Sequence, residues 1–445
     1  MVGSFLEYLK MDHDTPAEPA MGTRDRTTER WMAAALALAL LSCGDPLDIQ
    51  VDPITELPRS LSTTEVAIVD ASSVFGLQLL RETLARDEGA NVILSPLSAS
   101  MALGMTLNGA GGATFDDMRS TLDLASLSRA EVNDAYRSLI DLLTELDPTV
   151  QFEIANSVWT NQDVPFHQAF LDAVVDAFDA RSESRDFTDP STLDAINQWV
   201  EESTDGKIEK ILEELDPDLV ALIVNAIYFD GAWAIEFDPD DTRRQTFTRA
   251  DGSTVDVDMM TIEGEEYRIG WGDGYAAAEL PYGGGAYAML VIVPQGDART
   301  FASTLDLQVW QAILEGLAPA EVDMLAIPKF TLTYDGYLNE ALKAMGMGVA
   351  FRPGADFTRM SPAGDQLCIN FVRQKTFIEV DERGTRAAAV TAVGIGAVSF
   401  TGLVADRPFV FAIRERLTGT ILFTGLVGDP TVGETGPNEY VNECG

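Results

Sequence analysis

Polar caps and apolar spacing divide the chain into helices first and strands afterwards. Ser62-Thr63-Thr64-Glu65 has the spacing of a capping box, and Val66, Val69, Val74, Leu77, Leu80 and Leu84 then recur on one helical face up to Arg86. Ser98 to Asn108 is rich in Ala, Met and Leu, which predicts a buried helix stopped by Gly109, Gly111 and Gly112. Thr192 to Leu215 predicts a helical stretch around Trp199 and Ile208, with a break at Asp205-Gly206. The strand signals are Phe152 to Trp159, Val220 to Phe229 and Lys375 to Val380. Ala286 to Pro294 is an unbroken apolar run, as expected of a strand covered on both faces. Pro408 to Ile413 and Thr420 to Thr424 flank a Leu417-Thr418-Gly419 turn, a hairpin by pattern. This order predicts a single α+β domain instead of alternating βαβ units, and no internal repeat is present.

One stretch resists that scheme. Between Ala387 and Ala405 the chain carries no charge, although it bears 71 acidic residues overall. Gly384, Thr385, Ala387, Ala388, Ala389, Thr391 and Ala392 are all small. Gly394 and Gly396 then interrupt a helix, while Val393, Ile395 and Ala397 alternate as in a strand. The segment is able to be a loop or a strand. Left exposed between two core strands, such a tract is an aggregation hazard unless it has a use.

At 445 residues the chain can bury a sizeable core, and its formal charge of −41 argues against nucleic acid, polyanions or anionic lipid surfaces as direct partners. Three cysteines, Cys43, Cys368 and Cys444, leave at least one unpaired and imply no disulfide framework. Arg24, Arg26 and Arg30 precede an apolar run from Trp31 to Leu41, too short to span a bilayer but matching the core of a signal peptide. The run ends in Leu40-Leu41-Ser42-Cys43, which resembles a bacterial lipobox and implies a lipid on Cys43. Met21 is an alternative start to Met1. The expected address is the outer membrane or cell surface, or release after export, with membrane attachment only through that lipid.

Catalytic chemistry finds little support. His13 precedes the export signal and His167 stands alone in Pro165-Phe166-His167-Gln168, so no nucleophile, base and orienting acid can be assembled around them. No HExxH, paired CxxC, phosphate loop or G-x-S-x-G is present. The reading is of a protein that is not an enzyme and needs no cofactor or metal.

Glu382-Arg383-Gly384-Thr385-Arg386-Ala387-Ala388-Ala389 resembles the hinge of the serpin reactive-centre loop, and the sequence from Pro408 to Pro430 resembles the serpin C-terminal signature. Asn91 to Leu97, Leu219 to Phe237, Ile327 to Phe330 and Leu342 to Phe351 are each similar to a serpin segment, in serpin order. The resemblance implies a leader and signal over 1–42, a tether over 43–64, a serpin domain over 65–430 and a disordered tail over 431–445 whose Cys444 could pair between chains. The implied fold packs helices on a large central mixed β-sheet, with further sheets and an exposed loop.

The implied function is suicide inhibition of a serine protease by a monomer, through a covalent acyl complex and insertion of the cut loop as a new strand. Thr385, Ala387, Ala389, Thr391, Val393 and Ile395 would then enter the core, and the set beginning at Arg386 would face solvent. Family spacing puts the reactive bond at Val398-Ser399, with Ala397-Val398 or a cut at Phe400 as alternatives. A small aliphatic residue there suits an elastase- or subtilisin-like pocket. Ser95, Ser98 and Asn225 match the cluster that lets the sheet part, but Gln374 stands where the family has histidine. Glu382, Lys329 and Trp233 match the group where the loop first enters. Arg383 and Arg386 replace frequent glutamates, and Val390 replaces a small residue on the outward set. The rival functions are a non-inhibitory binding or surface protein of the same fold, and inhibition of papain-like cysteine proteases.

Overall fold

Side-chain caps set where the first helices begin. Ser62 accepts the Glu65 N–H at 3.2 Å and the Glu65 carboxylate accepts the Ser62 N–H at 2.7 Å, so α1 (Thr63–Leu84) opens on the predicted capping box. The computed structural model describes residues 53–383, 400–439 and 444. After β1 (Asn91–Leu94) come α2 (Pro96–Gly109), α3 (Gly112–Thr121) and α4 (Arg129–Thr144), the last opening on a second capping box from Ser128 and Glu131. The chain continues through β2 (Val150–Asn161), α5 (Gln168–Phe178), β3 (Ala180–Arg185), α6 (Pro190–Ser203) and β4 (Ala221–Gly231). Strands then dominate: β5 (Arg243–Thr248), β6 (Thr254–Ile262), β7 (Glu266–Gly272), β8 (Tyr275–Tyr282) and β9 (Tyr287–Pro294). Two short helices, α7 (Ala298–Ser303) and α8 (Leu307–Glu315), lead to β10 (Ala318–Glu321), β11 (Met324–Pro328) and β12 (Phe330–Tyr337). The last strands are β13 (Arg373–Val380), β14 (Gly402–Val404), β15 (Phe409–Glu415), β16 (Ile421–Val427) and β17 (Glu434–Thr435).

The core forms on a seven-stranded, wholly antiparallel sheet ordered β1-β16-β15-β9-β8-β7-β10. Every residue of β9, β15 and β16 is buried, and for β9 this is why the segment reads as an unbroken apolar run. Helix α2 packs against both β16 of this sheet and β4 of another, and so is apolar all round. Its neighbour α1 departs from the predicted face. Val69, Leu77, Leu80 and Leu84 are buried as expected, but Val66 is 44% exposed and Val74 half-buried, and Ile68, Phe75 and Leu79 widen the buried face because α1 packs on α4 and α2 as well as on β16.

A second sheet is ordered β14-β11-β6-β5. The implied large central mixed sheet arrives as two separate three-stranded sheets, β3-β2-β4 and β13-β12-β17, each with one parallel and one antiparallel pairing.

Two further expectations change. The stretch from Thr192 to Leu215 is helical only through Ser203, because Asp205 (φ 48°) and Gly206 (φ 74°) adopt left-handed backbone that ends it. Residues 204–215 instead form a non-helical strap whose Ile208 and Leu212 join Trp199 in a satellite core with Phe371 and Phe377. In place of a free terminal cysteine, Cys368 and Cys444 are paired within the chain, with Cα atoms 6.0 Å apart. Residues 431–439 of the tail include strand β17.

Glu65 does more than cap α1. Arg59 donates to its carboxylate at 2.6 and 3.0 Å, Ser138 donates at 2.6 Å, and the side chain is only 3% exposed. The Arg59 hydrogen bonds hold Glu65 down at about 2, from an ordinary 4.5. A depressed carboxylate stabilises the fold above its unfolded value and ceases to do so as pH falls through its folded value. Glu65→Gln should therefore cost about 1–3 kcal/mol at pH 7. In urea unfolding, that difference should shrink as pH falls from 4.5 towards 2.

Candidate functional site

Strands β4 and β13 are each the end strand of their sheet, and they face one another across a cleft of about 470 Å³. Among the described residues neither has a partner on the cleft side, β4 pairing only with β2 and β13 only with β12. Two rows of backbone donors and acceptors therefore border one opening. Helix α2 supplies its floor through Ser98, Ala99 and Ala102, and the strap covers its front through Lys207, Ile208 and Ile211.

Burial along the strands reports the same opening. The odd-numbered residues Ile223, Ile227 and Phe229 of β4 point to the main core yet are half-buried, whereas Leu222, Val224 and Ala226 beneath α6 and the strap are buried. On β13 the inward residues are Gln374, Thr376, Ile378 and Val380. The inner layer lacks the side chains that a strand between β4 and β13 would contribute.

The two sheets meet at the C-terminal ends of these strands. Trp233 donates its backbone N–H to the Arg383 carbonyl at 3.2 Å and its indole Nε1–H to the Asp381 carbonyl at 2.8 Å. The indole stacks on Tyr282 with centroids 4.4 Å apart and is 5% exposed. Arg383 reaches Asp230 at 3.3 Å, and that carboxylate raises the guanidinium pKa. The Glu382 carboxylate accepts from Lys329 Nζ at 2.5 Å and Thr242 Oγ1 at 2.7 Å. Burial pushes Glu382 up, but these donors outweigh it and hold its pKa below the ordinary value. Glu382, Lys329 and Trp233 thus lie together at one end of the cleft, and Thr242 and Tyr282 are members that sequence reading missed.

The sheet-opening cluster is divided. Gln374 accepts the Ser95 N–H at 3.0 Å and donates to the Ser95 carbonyl at 2.8 Å, while Ser95 Oγ donates to the Leu422 carbonyl at 2.7 Å. Ser98 turns its backbone N–H to Ser95 Oγ at 3.4 Å. Asn225 joins Asn156 at 2.6 Å instead, a partner with no signal in the sequence, and Asn156 donates on to the Phe178 carbonyl. Ser95, Ser98, Asn225 and Gln374 all line the cleft, but Asn225 belongs to the β4 side and Gln374 to the β13 side. Asn225 Oδ1 and Thr376 Oγ1 are buried without a hydrogen-bond partner among the described residues.

Gly384, Thr385, Arg386, Ala387, Ala388, Ala389, Val398, Ser399 and Cys43 lie outside the described residues. The ends of the intervening segment are placed. It leaves β13 at Arg383 beside Trp233, and chain resumes at Phe400, which is 57% exposed. Asp323 and Thr401 then exchange hydrogen bonds, Thr401 N–H to Asp323 Oδ2 and Asp323 N–H to the Thr401 carbonyl, both at 2.7 Å. Strand β14 pairs in parallel with β11, fixing that end to the second sheet.

The elements define an α+β molecule in which two small mixed sheets turn end strands to one opening, with Arg383 held beside that opening and Gly402 to Val404 held on the second sheet. Residues 70–430 match the family described as Serpin (serine protease inhibitor). An uncharacterized serpin-like protein of Methanosarcina acetivorans is 30% identical over 83% of this chain and 88% of its own length. Iripin-3 of Ixodes ricinus is 34% identical over 80% of this chain and 93% of its own. The crystal structure of Tengpin, a thermophilic serpin in the native state, superposes with a TM-score of 0.72 at 30% identity, covering 86% of this chain and 97% of that one. The chain belongs to the serpin family, whose members are typically protease inhibitors and not enzymes.

Gln374 is the side chain that ties β13 to the start of α2. Gln374→Leu strands the buried Ser95 N–H, and urea unfolding should show a loss of about 1–3 kcal/mol. An unchanged midpoint would mean that the amide is dispensable.

Proposed function

We propose that this serpin inhibits serine endopeptidases with shallow apolar pockets, of elastase or subtilisin type, by acylation and insertion of its own loop. The observation that carries the reading is the pair of facing, unpartnered strand edges beside the point where the segment 384–399 departs. The protease serine Oγ attacks the Val398 carbonyl, the bond to Ser399 breaks, and the new amine leaves with the C-terminal part. The protease is then held as an ester on Val398, and the freed arm folds back antiparallel between β4 and β13.

Parity supports that movement. Val380 faces inward, and with Asp381 to Gly384 making the turn Thr385 would fall opposite Val380 and Thr391 opposite Gln374. Thr391 would bring a hydroxyl opposite Gln374, the inward neighbour on β13 of Thr376, whose Oγ1 has no hydrogen-bond partner among the described residues. The inward set carries no charge, and its first residues are small enough to enter a half-closed sheet. Each added residue contributes about 1 kcal/mol of net hydrogen bonding together with apolar burial, so a dozen can offset the cost of ordering the arm. Export with a lipid on Cys43 would place the inhibitor at the cell surface, where secreted proteases are met.

Incubation with pancreatic-type elastase or subtilisin should give a band at the summed mass that survives boiling in detergent. Clean cleavage with protease activity left over would exclude trapping and favour a non-inhibitory role. The mass of the released C-terminal fragment identifies the cut bond. Thr385→Arg puts a charge at the first inward position and should turn inhibitor into substrate. Trapping at the unaltered stoichiometry by that variant would contradict the register.

A further inference from the structure

Residues 431–445 lie beyond the stretch that matches the family, and their described part is tied to the lower end of the cleft. Strand β17 adds to the far edge of β12, with Thr333 donating to the Gly433 carbonyl at 2.7 Å. Asn438 accepts the Tyr337 N–H at 2.6 Å and donates to the Tyr337 carbonyl at 3.1 Å. Cys444 then joins Cys368 across 76 residues of sequence. Both cysteines line the cleft, with Leu367 and Ile369, at the end opposite Trp233 and Arg383. Cys368 sits five positions before β13 begins, on a segment already fixed on its other side by Ile369 N–H to the Ala350 carbonyl at 2.8 Å.

This location coincides with the end of the arm's travel. With Thr385 opposite Val380, the antiparallel register brings Val398 level with Leu367, next to Cys368. A strand that fills the cleft must therefore pass between β4 and a wall that the disulfide pins. We propose that the C-terminal tail is a redox-sensitive latch on the lower cleft: oxidised, it holds residues 367–371 in place and slows complete insertion, and reduced, it lets that wall move. The inference rests on the insertion reading above. Both cysteines are partly exposed, so a dithiol can reach them. Its thiolate attacks one sulfur and expels the other as thiolate; its second thiol then closes its own disulfide. Two electrons and two protons pass to Cys368 and Cys444.

The test uses the full chain and the double variant Cys368→Ser/Cys444→Ser, each with and without dithiothreitol. Non-reducing peptide mass spectrometry should find Cys368 joined to Cys444 in the untreated protein. After nicking near Val398, the appearance of a heat-resistant form should be several-fold faster in the reduced protein and in the double variant than in the oxidised protein. The double variant still carries Cys43, so its indifference to reductant assigns the effect to the tail. Absence of the linked peptide overturns the latch. Equal rates in oxidised and reduced protein overturn it too, while leaving insertion intact. If no nicked form gains heat resistance, insertion fails and the latch with it.

Discussion

The structure depends on keeping two strand edges apart that backbone chemistry would otherwise pair. Main-chain donors and acceptors are obligatory hydrogen-bonding groups, and an edge row left open is a template for another strand. Here β4 and β13 leave two such rows facing one opening, joined at their C-terminal ends by Trp233, Asp381 and Arg383.

The seven-stranded sheet and α2 form a rigid floor, because their buried residues pack on both sides and leave no room for the cleft to relax inward. The strap that follows α6 crosses the front and touches both sheets, through Leu222 and Val224 on one side and Phe371 and Phe377 on the other. The polar groups along the cleft divide the same way. Gln374 binds Ser95 at the start of α2 and Asn225 binds Asn156 of its own sheet, while Asn225 Oδ1 and Thr376 Oγ1 are left over. Unsatisfied buried oxygens are costly, and each of the two small sheets carries one beside the opening. A second closure by the tail disulfide puts a covalent boundary at the far end of the opening.

Much of this architecture was legible in the residues. The capping box at Ser62, the apolar run of β9 and the hairpin around Gly419 are local features, and local chemistry alone produces them. The uncharged tract between Ala387 and Ala405 read as a segment able to be a loop or a strand, and most of it lies outside the described residues. The missed features share a cause. Val66 is exposed and Asn156 is the partner of Asn225 because of which elements pack together, and periodicity carries no information about distant partners. Cys368 and Cys444 stand 76 positions apart, so nothing in their spacing signalled a bond.

The amino-acid order by itself determined the class of elements and their sequence along the chain, since these follow from spacing, side-chain size and charge. Only the tertiary structure decided that the mixed sheet stands parted, which polar groups lie on each side of the parting, and where the tail is fastened. Those outcomes depend on long-range contacts, in which strands distant in sequence pair along one edge and leave the other open, and in which Gln374 meets Ser95 across 279 positions.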